Sequence, residues 1–73
     1  MTAEQAIACA RAIALERGWP WWPPVRAARR RTFFFIGPPR WEVWSNADMR
    51  GSNVRVVIDD ATGAVLAQGF MPR

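Results

Sequence analysis

Few residues of this chain could do covalent chemistry. Asp59 and Asp60 are adjacent carboxylates, and Cys9 is the only thiol. Two carboxylates can divide acid and base work when both point into one site. Neighbouring strand residues point to opposite faces, so Asp59 and Asp60 are badly placed for it, and Asp60 reads as a turn-former. Glu42 and Asp48 add acids without metal-ligand spacing. A nucleophilic Cys9 would need a base, yet the chain has no histidine. Cys9 also falls mid-helix, so it reads as a small, partly buried side chain. With one cysteine and no histidine, an intrachain disulfide and the usual zinc sites are excluded. No serine triad or phosphate loop is visible either. The expectation is a protein without catalysis, metal or cofactor.

Binding chemistry is better represented. Trp19, Trp21 and Trp22 alternate with Pro20, Pro23 and Pro24 in the segment WPWWPP, which holds three of the five tryptophans. Indoles bring large apolar area, and prolines keep the backbone extended. A basic run, Arg26, Arg29, Arg30 and Arg31, follows directly. Aromatic residues and arginine together are the composition of interface hot spots. The candidate partner-binding residues are therefore Trp19, Trp21, Trp22 and Trp44 as anchors, with Arg26, Arg29, Arg30 and Arg31 steering an acidic face. The same residues could meet phosphates and stack on bases, which makes a small nucleic-acid-binding protein the alternative. All ten basic residues are arginine and the net charge is +4. An arginine-for-lysine bias also fits a GC-rich coding sequence, so charge alone is a weak footprint.

The elements that must position these residues can be read along the chain. Thr2 to Arg17 is expected to be a helix. Thr2 and Gln5 make a capping-box pattern, Glu4 and Arg17 suit the macrodipole, and Gly18 is the expected stop. Ala3, Ala6, Ile7, Ala10, Ile13 and Ala14, with Leu15 at the margin, share one broad face of small residues. Gly18 to Arg31 reads as a connection. Strands are expected at Thr32–Ile36, ended by Gly37-Pro38-Pro39, then at Arg40–Ser45, Val54–Asp59 and Val65–Gly69. Asn46 to Asn53 is a polar loop. Asp60-Ala61-Thr62-Gly63 is a tight hairpin, with Gly63 in the left-handed position that closes a type I turn with a G1 bulge. Connections this short make the strands antiparallel neighbours.

The expected fold is thus a single α+β domain over residues 1–73, one N-terminal helix packed on a four-stranded antiparallel β-meander. A chain of 73 residues buries only about 60% of its unfolded surface and is short of core. Its sheet reads as apolar on both faces. Phe34, Ile36, Trp41, Val43, Val54, Val56 and Ile58 can line one, leaving Phe33, Phe35, Trp44 and Val57 for the other. One alanine-rich helix covers one face. The second needs the WPWWPP wrap, a partner, or a second copy, giving a homodimer through that face.

Three pieces resemble a PepSY-type domain, within the broader cystatin-like helix-on-sheet folds. They are the helix AEQAIACARAIALERG, the strand RWEVW with Trp41 and Val43, and NVRVVIDDATGAVLAQG with Asp60, Thr62, Gly63 and Val65. The same W-x-V and D-x-x-G-x-V pieces are similar to those of small bacterial immunity proteins. The resemblance covers most of the chain outside residues 19–31. It implies a non-catalytic protein-binding module that inhibits, regulates or neutralises another protein with an acidic or apolar surface. It supplies no catalytic residues. The WPWWPP insert and the basic charge depart from the family pattern.

No apolar run is long enough to cross a bilayer, so no membrane partner is expected. Glu4 and Arg11 spoil a signal-peptide reading, which points to a cytoplasmic protein with Cys9 reduced.

Overall fold

The computed structural model describes residues 1–33 and 36–72. It comprises α1 (Ala3–Arg17), β1 (Arg26–Phe33), β2 (Ile36–Trp44), β3 (Asn53–Asp59) and β4 (Val65–Met71). The strands form one antiparallel sheet in the order β1-β2-β3-β4, with α1 across one face, an α+β arrangement.

Local chemistry explains the limits of α1. The Thr2 hydroxyl accepts the Gln5 N–H at 3.1 Å, and the Gln5 side chain accepts the Thr2 N–H at 2.8 Å, a complete capping box. At the other end Gly18 takes φ 72, and the Gly18 and Trp19 N–H groups donate to Leu15 and Ala14 carbonyls. This Schellman pattern turns the chain back across the sheet. Ala6, Ala10 and Ala14 are fully buried in one row, spaced four apart. Their small side chains let α1 sit close to Val43, Val54, Val56 and Ile58, the buried centre of the sheet. Leu15, expected at the margin of this face, is 83% exposed instead. Its direction, one residue beyond Ala14, carries it past the contact line.

The first strand differs from the expectation. β1 begins at Arg26, so the basic run is itself an edge strand, paired with β2 from Arg26↔Trp44 to Arg31↔Pro39. An edge strand needs little apolar alternation, which is why a run of arginines concealed it. Phe34 and Phe35, assigned to that strand from the sequence, lie outside the described residues, as do the side chains of Phe33 and Ile36. Gly37, Pro38 and Pro39 do not end a strand but belong to β2. Pro38 falls at a register shift between Arg31 and Phe33, and Pro39 lies opposite the turn after β3. Prolines are tolerated at such irregular sites and near strand starts.

The WPWWPP segment crosses the helix side of the sheet. Trp19 and Trp21 pack against the core, and Trp19 stacks on Phe70 of β4 at 6.3 Å. The Trp22 and Pro24 carbonyls accept the Asn46 and Ala47 N–H groups beyond the end of β2. The wrap therefore completes the face α1 leaves open, and does not cover the opposite face.

The β3–β4 hairpin closes through Gly63 N–H to the Asp59 carbonyl and Asp59 N–H to the Ala64 carbonyl, with Gly63 at φ 75. The loop Asp60–Gly63 is one residue longer than a type I turn with a G1 bulge. Asp59 Oδ1 accepts the Ala61 N–H and Thr62 Oγ1 accepts the Ala64 N–H, while Asp60 lies in the turn as expected but turns its carboxylate elsewhere.

Candidate functional site

Strand alternation sorts the sheet residues onto two sides. Ala27, Arg29, Trp41, Val43, Val54, Val56 and Ile58 fall on the helix side. Arg26, Ala28, Arg30, Arg40, Glu42, Trp44, Arg55 and Val57 fall on the open side. Among the described residues the open face is charged more than apolar, while Phe35 and the side chain of Phe33, also expected on it, lie outside them. Val57 is buried at its centre, but it sits beside a charged network.

Glu42 is the hub of that network and is only 8% exposed. Its carboxylate faces Arg30 Nε at 3.3 Å, Arg55 Nη2 at 3.4 Å and Arg40 Nη2 at 3.9 Å. Register explains the meeting, since Glu42 opposes Ala28 and Val57, Arg30 and Arg55 lie two residues from those positions, and Arg40 lies two residues before Glu42 itself. Three guanidinium groups share this carboxylate, and with Arg26 they outnumber Glu42 and Asp59 on the face, which keeps an excess of positive charge. Arg40 Nε has no hydrogen-bond partner among the described residues. The Arg30 guanidinium lies 6.0 Å from the Trp44 ring, at cation–π distance.

Beyond Trp44 the face drops into a hollow of about 410 Å³, bordered by Trp44, Met49, Arg50, Arg55 and Met71. Met49 and Met71 are 51% and 59% exposed. Asn53 holds the rim. Its amide donates to the carbonyls of Ser45, Asn46 and Met49, and its Oδ1 accepts the Gly51 N–H at 2.8 Å. Asn46, Gly51 and Ser52 adopt positive φ there, so the loop has a defined shape. The arrangement can bind an anion beside an apolar group. Among the described residues that border it, none is an acid or a histidine.

The eight residues singled out from the sequence do not form one site. Trp44, Arg26 and Arg30 share the open face. Arg26 pairs with Asp48 at 3.2 Å, both side chains mostly exposed. Trp19 and Trp21 are structural on the helix side, while Trp22 is 49% exposed. Arg31 donates to the Gly37 carbonyl.

Arg29 belongs to a second network on the helix side. Asp60 Oδ2 accepts from Arg29 Nη2 at 3.0 Å, and its Oδ1 accepts from Trp41 Nε1 at 2.7 Å and meets the N-terminal ammonium at 3.4 Å. The Trp41 indole N–H, with further help from Arg29 and the N-terminus, holds the Asp60 carboxyl below its ordinary value of 3.8 against a smaller opposing cost of desolvation.

Sequence reasoning missed Arg40, Glu42, Arg50, Arg55, Met49 and Met71. The alternation that puts Arg55 beside Val57 was a usable signal for part of this set. The rest depends on register between strands. Comparison of the chain with protein-family models, curated proteins and solved structures finds no match.

Proposed function

We propose that this chain is a non-catalytic protein-binding module, PepSY-like in kind, that inhibits, regulates or neutralises another protein by occluding an acidic segment of it on the open sheet face. The observation that carries the reading is the sharing of the Glu42 carboxylate by Arg30, Arg40 and Arg55, next to the Trp44 hollow. The excess guanidinium charge favours a carboxylate-bearing partner, and Trp44, Met49 and Met71 offer adaptable apolar contact. A second copy bound face to face would set these arginines against their equivalents, so the homodimer through this face is the weaker reading of the surface. Nucleic acid is a poorer fit than protein, because Arg30 already lies over the Trp44 ring on which a base would stack. No helix among the described residues is long and apolar enough to cross a membrane. A cytoplasmic setting with Cys9 reduced is part of the proposal.

The test is affinity capture from the native host with wild type, Trp44→Ala and Arg55→Glu in parallel, after the melting temperatures have been matched. One acidic protein should be retained by wild type and lost by both variants. Retention by all three, or retardation of single-stranded RNA in place of protein capture, would overturn the reading.

A further inference from the structure

The strand β4 is uncovered in three ways at once. It is an outer strand of the sheet, bonded only to β3. Among the described residues α1 contacts β1, β2 and β3 but not β4. Val65, Leu66 and Met71 are 41%, 57% and 59% exposed, and VLAQGFM has no charge and no proline. Natural sheets normally protect such edges with lysine or arginine, proline or a bulge. Here a register shift between Val57 and Ile58 puts one irregularity at the start of β4, and the rest is regular.

The pairing pattern shows which backbone groups are free to bond outward. The Ser45 N–H donates to the Val54 carbonyl, so Val54 and Val56 turn their peptide groups toward β2. Arg55 and Val57 then turn theirs toward β4, where they oppose Gly69 and Ala67. By alternation the N–H and C=O of Gln68 and Phe70 point away from the sheet.

We infer that β4 is a self-association edge, on which two copies of this chain pair antiparallel to form one continuous sheet across a two-fold axis. Centring the pairing on Gln68 satisfies its outward groups with those of Gln68 in the second copy. The same register sets Phe70 against Leu66 of the second copy, an apolar cross-strand pair on the helix side. Charge selects this occupant. A second β4 brings no charge to a strand that carries none, whereas an acidic strand would find no guanidinium on residues 65–71. Paired in this way, the copies keep both open faces free and pointing in one direction. The inference does not rest on what those faces bind.

Sedimentation equilibrium of the whole chain over a range of concentrations should show a monomer–dimer equilibrium. Gln68→Pro removes only an outward N–H, a position where an edge strand tolerates proline. It should weaken the dimer about tenfold or more, as should Leu66→Lys, with the near-ultraviolet circular dichroism of the monomer kept. If either variant fails to fold, Cys9→Ala/Gln68→Cys replaces it. Directly paired residues lie about 5.5 Å apart at Cα, within disulfide reach, so this variant should form a covalent dimer in a glutathione buffer. A strict monomer at every concentration, a dimer indifferent to Gln68→Pro and Leu66→Lys, or a Gln68→Cys chain that stays uncrosslinked would each overturn the inference. A monomer that instead binds an unrelated strand at β4 would do so as well.

Discussion

The two edges of the sheet, β1 and β4, present unpaired backbone in opposite chemical settings. β1 carries Arg26, Arg29, Arg30 and Arg31. Three of these reach carboxylates, Arg26 on Asp48, Arg29 on Asp60 and Arg30 on Glu42. β4 carries none, and its described cover is at Phe70, which Trp19 stacks on and which packs against the core. Charge on β1 repels a second β1, while the bare β4 edge invites another strand. One protected edge and one open edge limit strand addition to a closed pair. The contrast also separates the two proposals, since the arginines near β1 are the charged surface proposed for an acidic partner and β4 is the edge proposed for self-pairing.

Removing the protection on β1 should have the largest effect. Replacing Arg26, Arg30 and Arg31 together by threonine leaves two open edges, and association should change from a closed pair to open-ended growth. Light scattering that rises with concentration without a plateau would show it. Next in size is Trp19→Ser, which uncovers Phe70 and empties part of the wrap. It should cost about 2–3 kcal/mol in urea unfolding, less than for a fully buried aromatic residue because Trp19 is only partly buried. By contrast, Trp22→Ser should stay within about 0.5 kcal/mol of wild type.

Glu42→Gln leaves Arg30, Arg40 and Arg55 facing one another without their shared carboxylate. The arginines are half exposed, so solvent screening reduces the loss to about 1–2 kcal/mol, and it should grow at low salt. The smallest effect concerns Asp60, which restrains Arg29 of β1. Its carboxyl is held below 3.8, so its contribution is complete above that value. The contribution declines as the pH falls below 3.8 and is gone once the pH passes the depressed value. Asp60→Asn should therefore flatten the acid limb of stability, read as urea midpoints from neutral pH down to pH about 2.5, and leave the neutral limb parallel.

These edges were unequally legible in the sequence. The α1 limits and the Gly63 turn could be read because their causes lie within a few residues, as in the Thr2–Gln5 box and the Gly18 cap. β3 showed its alternation, and the turn after it located β4. β1 was concealed because an arginine-rich edge strand has no apolar period to detect. Gly37-Pro38-Pro39 looked like a stop because the signal for their tolerance is the register against β1 and β3, which no local window contains. The same reason separates the two arginine networks. Arg29 and Arg30 are adjacent in sequence, yet they meet Asp60 and Glu42 on opposite sides of the sheet. Asp60 lies in the turn, but Asp59 and Thr62 supply the side-chain bonds within it, and the Asp60 carboxylate joins Trp41, Arg29 and the N-terminus across long sequence distances.

Amide hydrogen exchange compares the edges most directly. Alternation turns the N–H groups of Ala27 and Arg29 outward on β1 and those of Gln68 and Phe70 outward on β4. Exchange at Gln68 and Phe70 should slow as protein concentration rises, while Ala27 and Arg29 exchange at the same fast rate throughout. Fast exchange at Gln68 and Phe70 at every concentration, or equal slowing on both edges, would contradict the account.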